Sequence, residues 1–437
     1  MSMNIAIVNE FFSPYIKGGT EIFLLEFARY LKKKGHKVIV ITSEQNQKNS
    51  KEFKTYKIKS SPFHFSYRYQ FSGITTPWML FNRKLRKKIN EIYEKENIDI
   101  VYANNVTHVS FAPIQTDINF VLDVHDYWPV CFSRDLFYKS KICKKKSIAK
   151  CAFCLSKKYK MPIIFPFLIP KLFVEKHFMK KTLEKAKEVI SHSKLVRGEL
   201  KKEGIESVVI PYPYMGKKKK TKRKETKTFN ILFVGRIDER KGLDIILNIA
   251  KELKGKLDYR IDIIGTGPDK LMKKMKRKDL DIHIHGFLKE ERFEFFSNAD
   301  CLLAPSIWPE PFGMVILEAM NFGLPIITMK NTGMSELVEE NNAGFSLTEK
   351  EIAGKIIEIY KNPSIRKRIE KSDKRNIEKY SKEKLFSVYE EILRRKLHIP
   401  IRTNSEAHMG ERNGFYGRQH TNESKKRISE NRWGNKR

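Results

Sequence analysis

Glu310 and Glu318 lie in the segment PSIWPEPFGMVILEAM (305–320), one before a Pro-Phe-Gly turn and one inside the apolar helix that the turn starts. Gly313, Met314 and Val315 fall in the first turn of that helix. There the backbone N–H groups lack carbonyl partners and carry the positive end of the helix dipole, which makes an anion-binding site. The plain alternative is a capped helix with solvent-facing carboxylates. Upstream, the apolar run FNILFVG ends in RIDERKG, so Arg236 and Lys241 sit on a loop that enters a helix. Two cations at the carboxyl end of a parallel strand can hold a diphosphate. In the first half, Gly18 and Gly19 of KGGTE let the backbone approach a bound group because glycine has no Cβ; a simple turn is the competing reading. His125, in VLDVHDYWP, follows a buried strand and should open on a cleft, either as a ligand or as a packing or capping group. Asp126 beside it reads as a cap for the next segment.

These residues need a parallel scaffold to bring them together, and the pattern supplies one. An apolar strand at 3–9 is followed by a helical stretch from Gly18 to Lys34, with Phe23, Leu24, Phe27, Tyr30 and Leu31 on one face. Strands VIVIT (38–42), IDIVYA (98–103) and NFVLDV (119–124) follow, then VVIPYP (208–213). After a basic low-complexity stretch, FNILFVG (229–235), a helix from about Leu243 to Leu253, YRIDIIG, DIHIHG, ADCLLAP and LPIITM (324–329) repeat the alternation. Strand alternating with helix predicts an α/β chain with two Rossmann-like domains facing across a cleft. The expected units are 1–210, a basic linker 211–228, a second domain 229–397 and a short appendage 398–437. A helix from Arg375 to Lys396 should close the second domain.

A Glu, seven residues and a Glu around a helix N-terminus, preceded in the same half by a strand, Arg236 and Lys241, resembles the signature of the retaining family-4 glycosyltransferases. The resemblance takes in roughly residues 3–395 and implies a GT-B fold and a nucleotide-diphosphate sugar as donor. By that likeness Arg236 and Lys241 hold the diphosphate, Glu318 meets the ribose hydroxyls and Glu310 contacts the donor sugar. The amides of Gly313, Met314 and Val315 orient sugar and phosphate, Gly18 and Gly19 approach the donor, and His125 binds the sugar. His125, Arg236, Lys241 and Glu310 form the expected catalytic set. No cofactor is expected for catalysis, because fixed cations can stabilise the leaving diphosphate directly. The implied acceptor is a glycan or lipid-linked glycan.

At 437 residues and 41% hydrophobic content the chain suggests two globular domains plus a tail. No apolar run is long enough to span a bilayer, and MSMNIAIVNEFF reads as a first strand rather than an export signal, so a cytoplasmic location is expected. The net charge of +35 favours an acidic partner, although a lysine-rich composition produces the same excess. The apolar, proline-broken stretch MPIIFPFLIPKLF (161–173) is either buried in the first domain or a peripheral contact with anionic membrane. Cys131, Cys143, Cys151 and Cys154 share one lysine-rich insertion and are either reduced thiols or a structural zinc site.

The tail NGFYGRQHTNESKKRISENRWGNKR (413–437) resembles the nuclease-associated modular DNA-binding motif of homing endonucleases. Arg418, Lys425, Lys426 and Arg427 would suit phosphate contacts there, against the alternative of a plain basic tail. A nucleic-acid-binding protein, or a sugar transferase acting on a DNA base, is therefore the second reading.

Overall fold

The computed structural model describes residues 1–16, 18–43, 48–58, 82–106, 109–138, 141–144, 147–158, 162–216 and 227–397. The appendage from 398 onward and most of the basic stretch (217–226) lie outside them. The first sheet holds β1 (Asn4–Val8), β2 (Lys37–Ser43), β3 (Lys54–Ile58), β4 (Ile100–Ala103), β5 (Asn119–Val124), β8 (Glu188–Ser191) and β9 (Val208–Val209). A small antiparallel hairpin, β6 (Phe137–Tyr138) and β7 (Lys141–Ile142), is inserted after β5. The first-sheet order is β3-β2-β1-β4-β5-β8-β9, all parallel.

The second sheet comprises β10 (Phe229–Val234), β11 (Tyr259–Ile264), β12 (Ile282–Gly286), β13 (Cys301–Ala304), β14 (Ile326–Met329) and β15 (Gly344–Leu347). Its order is β12-β11-β10-β13-β14-β15, also parallel. Helices cover both faces of such sheets, so central strands read as unbroken apolar runs. Ile5, for example, pairs with Val38 on one side and Ile100 on the other, and all three are buried. Strand order reverses at β1/β4 and at β10/β13, and the crevice beyond the carboxyl ends at such a reversal is where ligands bind. The expected fold class, two Rossmann-like domains in a GT-B arrangement, is the one observed.

The closing helix is shorter than its periodicity suggests. A helix over Pro363–Asn376 gives way to a 3-10 turn at Ile377–Tyr380, and Ser381 is extended (φ −63°, ψ 145°) before a new helix at Lys382–Arg395. Tertiary bonds hold the break: Tyr214 N–H donates to the Tyr380 carbonyl (2.7 Å) and Asn341 Nδ2 donates to the Tyr380 hydroxyl (2.7 Å). The last helix then packs on the first domain, with Phe386 and Tyr389 against Phe23 and Phe27 of the helix Gly19–Lys33 at ring separations of 5.3–5.8 Å. Lys382 pairs with Glu26 (2.9 Å), and Tyr30 and His36 both meet Glu390 (3.0 and 3.1 Å). Burial works against the Glu390 carboxylate, but bonds from His36, Arg394 and Tyr30 overcome it and bring its pKa down to about 2. VVIPYP contributes only Val208–Val209 to the sheet, because Pro211 and Pro213 have no N–H to give a ladder.

Asp373, inside the helix Pro363–Asn376, is fully buried and neither carboxylate oxygen has a hydrogen-bond partner among the described residues. Burial, and then the charge of Glu370, push its pKa up to about 9. The folded chain therefore holds this proton more tightly than the unfolded chain. The stability tied to it is complete below pH ~4 and is lost as pH rises towards the folded value. We expect the wild-type denaturant midpoint to fall between pH 5 and pH 9. Asp373→Leu should flatten that slope, as measured by fluorescence-monitored unfolding at each pH.

Candidate active site

The loop after β10 and the loop after β13 flank the strand reversal of the second sheet, and their charged groups meet there. Lys241 Nζ bonds both carboxylate oxygens of Glu310 (2.6 and 2.7 Å), with each side chain mostly shielded from solvent. Arg236 is exposed at the mouth of the same loop, and its charge helps hold Asp238 ionised. The larger cause is Arg240, whose hydrogen bonds (2.8 and 3.0 Å) take the Asp238 carboxyl down to about 2. Arg240 and Lys241 both stand 5.7 Å from the Trp308 ring, so the cations line up along one aromatic side chain. The two loops approach so closely that a Cβ at Gly242 (φ +77°) would overlap the Pro305 carbonyl oxygen.

The helix Met314–Phe322 starts from Gly313, which has φ +90° and no room for a Cβ against Met334. Both conditions require glycine. The N-terminal turn of this helix faces the first domain. Gly19 opens the helix Gly19–Lys33, and a Cβ on it would overlap Met314 Sδ. Gly18 N–H donates to Glu21 Oε2 (2.7 Å), which fixes the glycine turn at that contact. Both glycine loops named from the sequence thus border one seam. Glu318 projects from the next helical turn and accepts from Arg292 (2.7 and 3.3 Å). Arg292 was not among the residues singled out; its partner lies 26 positions away, beyond any local pattern.

His125 follows β5 with its Nδ1 buried and unbonded among the described residues, and burial holds its pKa below the usual value. A buried ring nitrogen without a partner in the protein is what a ligand hydroxyl would satisfy. Asp126 is structural, as its sequence position suggested. It accepts from Trp128 N–H (2.7 Å) and from Arg134 (2.7 Å), and although burial opposes the charge, Arg134 keeps it ionised. Tyr127, next in the chain, donates to the Pro309 carbonyl (2.6 Å), and Trp308 Nε1 donates to the Asp135 carbonyl (2.5 Å). These two bonds tie the loop after β5 to the residues just before Glu310.

Deeper in the seam, Asp123 accepts from Tyr102 (2.6 Å) and Asn104 (3.1 Å) and meets His192 Nε2 (2.6 Å). His192 stacks on Tyr212 at 3.7 Å. Sequence reasoning passed over this network because its members come from four separate segments.

The four cysteines of the insertion line one shallow pocket. Burial, then the neighbouring thiols, push Cys151 up to about 12 and Cys154 up to about 11. Among the described residues no three His, Cys, Asp or Glu side chains converge as metal ligands. Of the two readings of these cysteines, reduced thiols or a structural zinc site, the described residues hold no three-ligand cluster that speaks for zinc. Arg418, Lys425, Lys426 and Arg427 lie outside the described residues.

With that geometry in view, comparison with known proteins defines the class. Residues 17–213 match Glycosyltransferase Family 4 and residues 215–376 match Glycosyl transferases group 1, together more than four-fifths of the chain. This chain belongs to the GT-B glycosyltransferases of that family. Residues 405–429 match the NUMOD3 motif, the tail likeness named from the sequence. An uncharacterised 42.6 kDa protein from the cps region of Klebsiella pneumoniae is 26% identical over 337 residues, 74% of this chain and 83% of that protein. WaaG, a glycosyltransferase involved in lipopolysaccharide biosynthesis, superposes with a TM-score of 0.61 at 16% identity, covering 89% of this chain and 98% of WaaG. HepE from Anabaena, in complex with UDP and glucose, gives a TM-score of 0.61 at 16% identity, covering 90% and 99%. At such identities the structural likeness speaks for the fold.

Proposed function

We propose that this enzyme transfers a sugar, with retention of anomeric configuration and without a catalytic metal, from a nucleotide diphosphate to a glycan or lipid-linked glycan. The observation that carries the reading is the cluster at the β10/β13 reversal: Arg236 and Lys241 on one loop, Glu310 on the other, and a helix N-terminus beside them. As the bond from phosphate oxygen to the anomeric carbon stretches, negative charge grows on the leaving diphosphate, and two fixed cations lower that barrier directly. The departing phosphate accepts the acceptor's proton on the same face of the sugar, so configuration is kept without a protein nucleophile. Lys241 is shared between Glu310 and this developing charge. Glu310 and His125 address the sugar, Glu318 the ribose, and Gly18 and Gly19 give the backbone access to the donor from the other side.

HepE with UDP and glucose supports a nucleotide-sugar donor, and WaaG's part in lipopolysaccharide synthesis supports a glycan acceptor. A nucleic-acid contact through the tail is the second reading, favoured by the NUMOD3 match.

Calorimetric titration with UDP, GDP and ADP, with and without EDTA, tests the donor site. One nucleotide should bind equally in both conditions, and Arg236→Ala and Glu318→Ala should each weaken it by about tenfold or more. Binding that needs a divalent metal, or is indifferent to both substitutions, would refute this assignment.

A further inference from the structure

The stretch expected either to be buried or to touch a membrane is neither wholly one nor the other. It forms a 3-10 turn and the helix Phe165–Leu183, whose two faces differ sharply. Leu168, Leu172, Met179 and Leu183 are buried, packing on the helix Ile148–Lys158 and on the first-domain core. On the opposite side Phe167 is 75% exposed, Phe173 67%, and Val174 and Phe178 are also exposed, with Ile163 (78%) just before the helix. Phe167, Val174, Phe178 and Lys181 recur at the spacing that places side chains on one helical face. Phe153 of the neighbouring helix, itself exposed, meets Phe165 edge-on at 6.2 Å and extends the apolar area. Half of the twelve large exposed apolar side chains among the described residues fall between Phe153 and Phe178. Such concentration marks an interaction surface rather than scattered surface residues.

Charge selects the occupant. The two helices carry seven lysines, at 150, 157, 158, 171, 176, 180 and 181, against the single carboxylate of Glu175. Lys171 pairs with Glu175 (3.0 Å), Lys158 with Asp135 (3.0 Å) and Lys176 with Glu203 (2.8 Å), while Lys180 and Lys181 are exposed beside the aromatic row. A second copy of the chain would bring like charge against like. No described helix is long and apolar enough to cross a membrane. We propose that this helical pair docks on an anionic lipid surface, with the helix Phe165–Leu183 lying in the plane of the interface. Phe153, Phe167, Phe173 and Phe178 enter the headgroup boundary and the lysines meet the lipid phosphates. The test of this surface does not depend on transfer activity.

Flotation of the full chain with vesicles of three parts phosphatidylcholine to one part phosphatidylglycerol, compared with phosphatidylcholine alone, reads the proposal. The chain should float with the anionic vesicles and not with the neutral ones. F167S/F173S should cut the bound fraction about tenfold while leaving the thermal unfolding curve in place, because both side chains are already largely in water. K180E/K181E should remove most of the salt-sensitive part. Flotation unchanged in F167S/F173S would assign any binding to another basic region and overturn the proposal. A concentration-dependent dimer in sedimentation, dispersed by the same pair of substitutions, would overturn it in favour of self-association.

Discussion

Lys241→Met is expected to lower kcat for sugar transfer by about a thousandfold, with a much smaller change in donor affinity. Two effects add. The ammonium group proposed to meet the leaving diphosphate is gone, and removal of one such fixed donor costs about a hundred- to a thousandfold. Glu310, held by that ammonium at 2.6 and 2.7 Å, is also left without its counter-charge beside an anionic substrate. Because negative charge grows only as the glycosidic bond breaks, the loss falls on kcat more than on KM. Lys241→Arg should recover part of the rate, since a cation returns with altered geometry. Steady-state kinetics with a fixed acceptor check this. A rise in KM alone would mean that Lys241 binds donor and transition state equally, and the proposed role would fall.

Phe386→Ala should destabilise the chain by about 3–5 kcal/mol. The ring is buried among Phe23, Phe27 and Tyr30, with centroids 5.4–5.8 Å away. Those three belong to the first-domain helix Gly19–Lys33, whereas Phe386 comes from the last described helix. Truncation opens a cavity that rigid aromatic neighbours cannot fill, and it loosens the strap between the two halves. The same helix begins at the glycine turn that meets Met314, so donor affinity should weaken along with stability. Chemical denaturation gives the first quantity and nucleotide titration the second. A cost below about 1 kcal/mol would show that the strap is not a principal fastening.

Much of this arrangement is legible in the sequence. The helix Leu243–Leu253 has the bounds that its periodicity indicated, and FNILFVG, YRIDIIG and LPIITM all lie on strands of one sheet. Gly313 could be placed at a helix start because a Pro-Phe-Gly turn ahead of an apolar run is a local signal. The closing helix was read too long because its apolar spacing continues through Ser381, where bonds from Tyr214 and Asn341 to Tyr380 impose the break. The apolar stretch at 161–173 was ambiguous for a related reason. Hydropathy says that an apolar face exists, while packing partners decide which face stays in water.

Sequence alone determined the parallel strand-and-helix scaffold, the glycine turn that starts the helix Met314–Phe322, the placing of Arg236 and Lys241 at a strand's end, and the family likeness. Each rests on backbone geometry and spacing within a few residues. Only the tertiary structure decided that Lys241 grips Glu310, that Arg292 holds Glu318, that Gly19 lies against Met314, and that Trp308 and Pro309 are bonded across the seam to the loop after β5. Those pairings join residues from 26 to 295 positions apart. They follow from strand order and from how the two halves close on one another, which no local pattern of residues encodes.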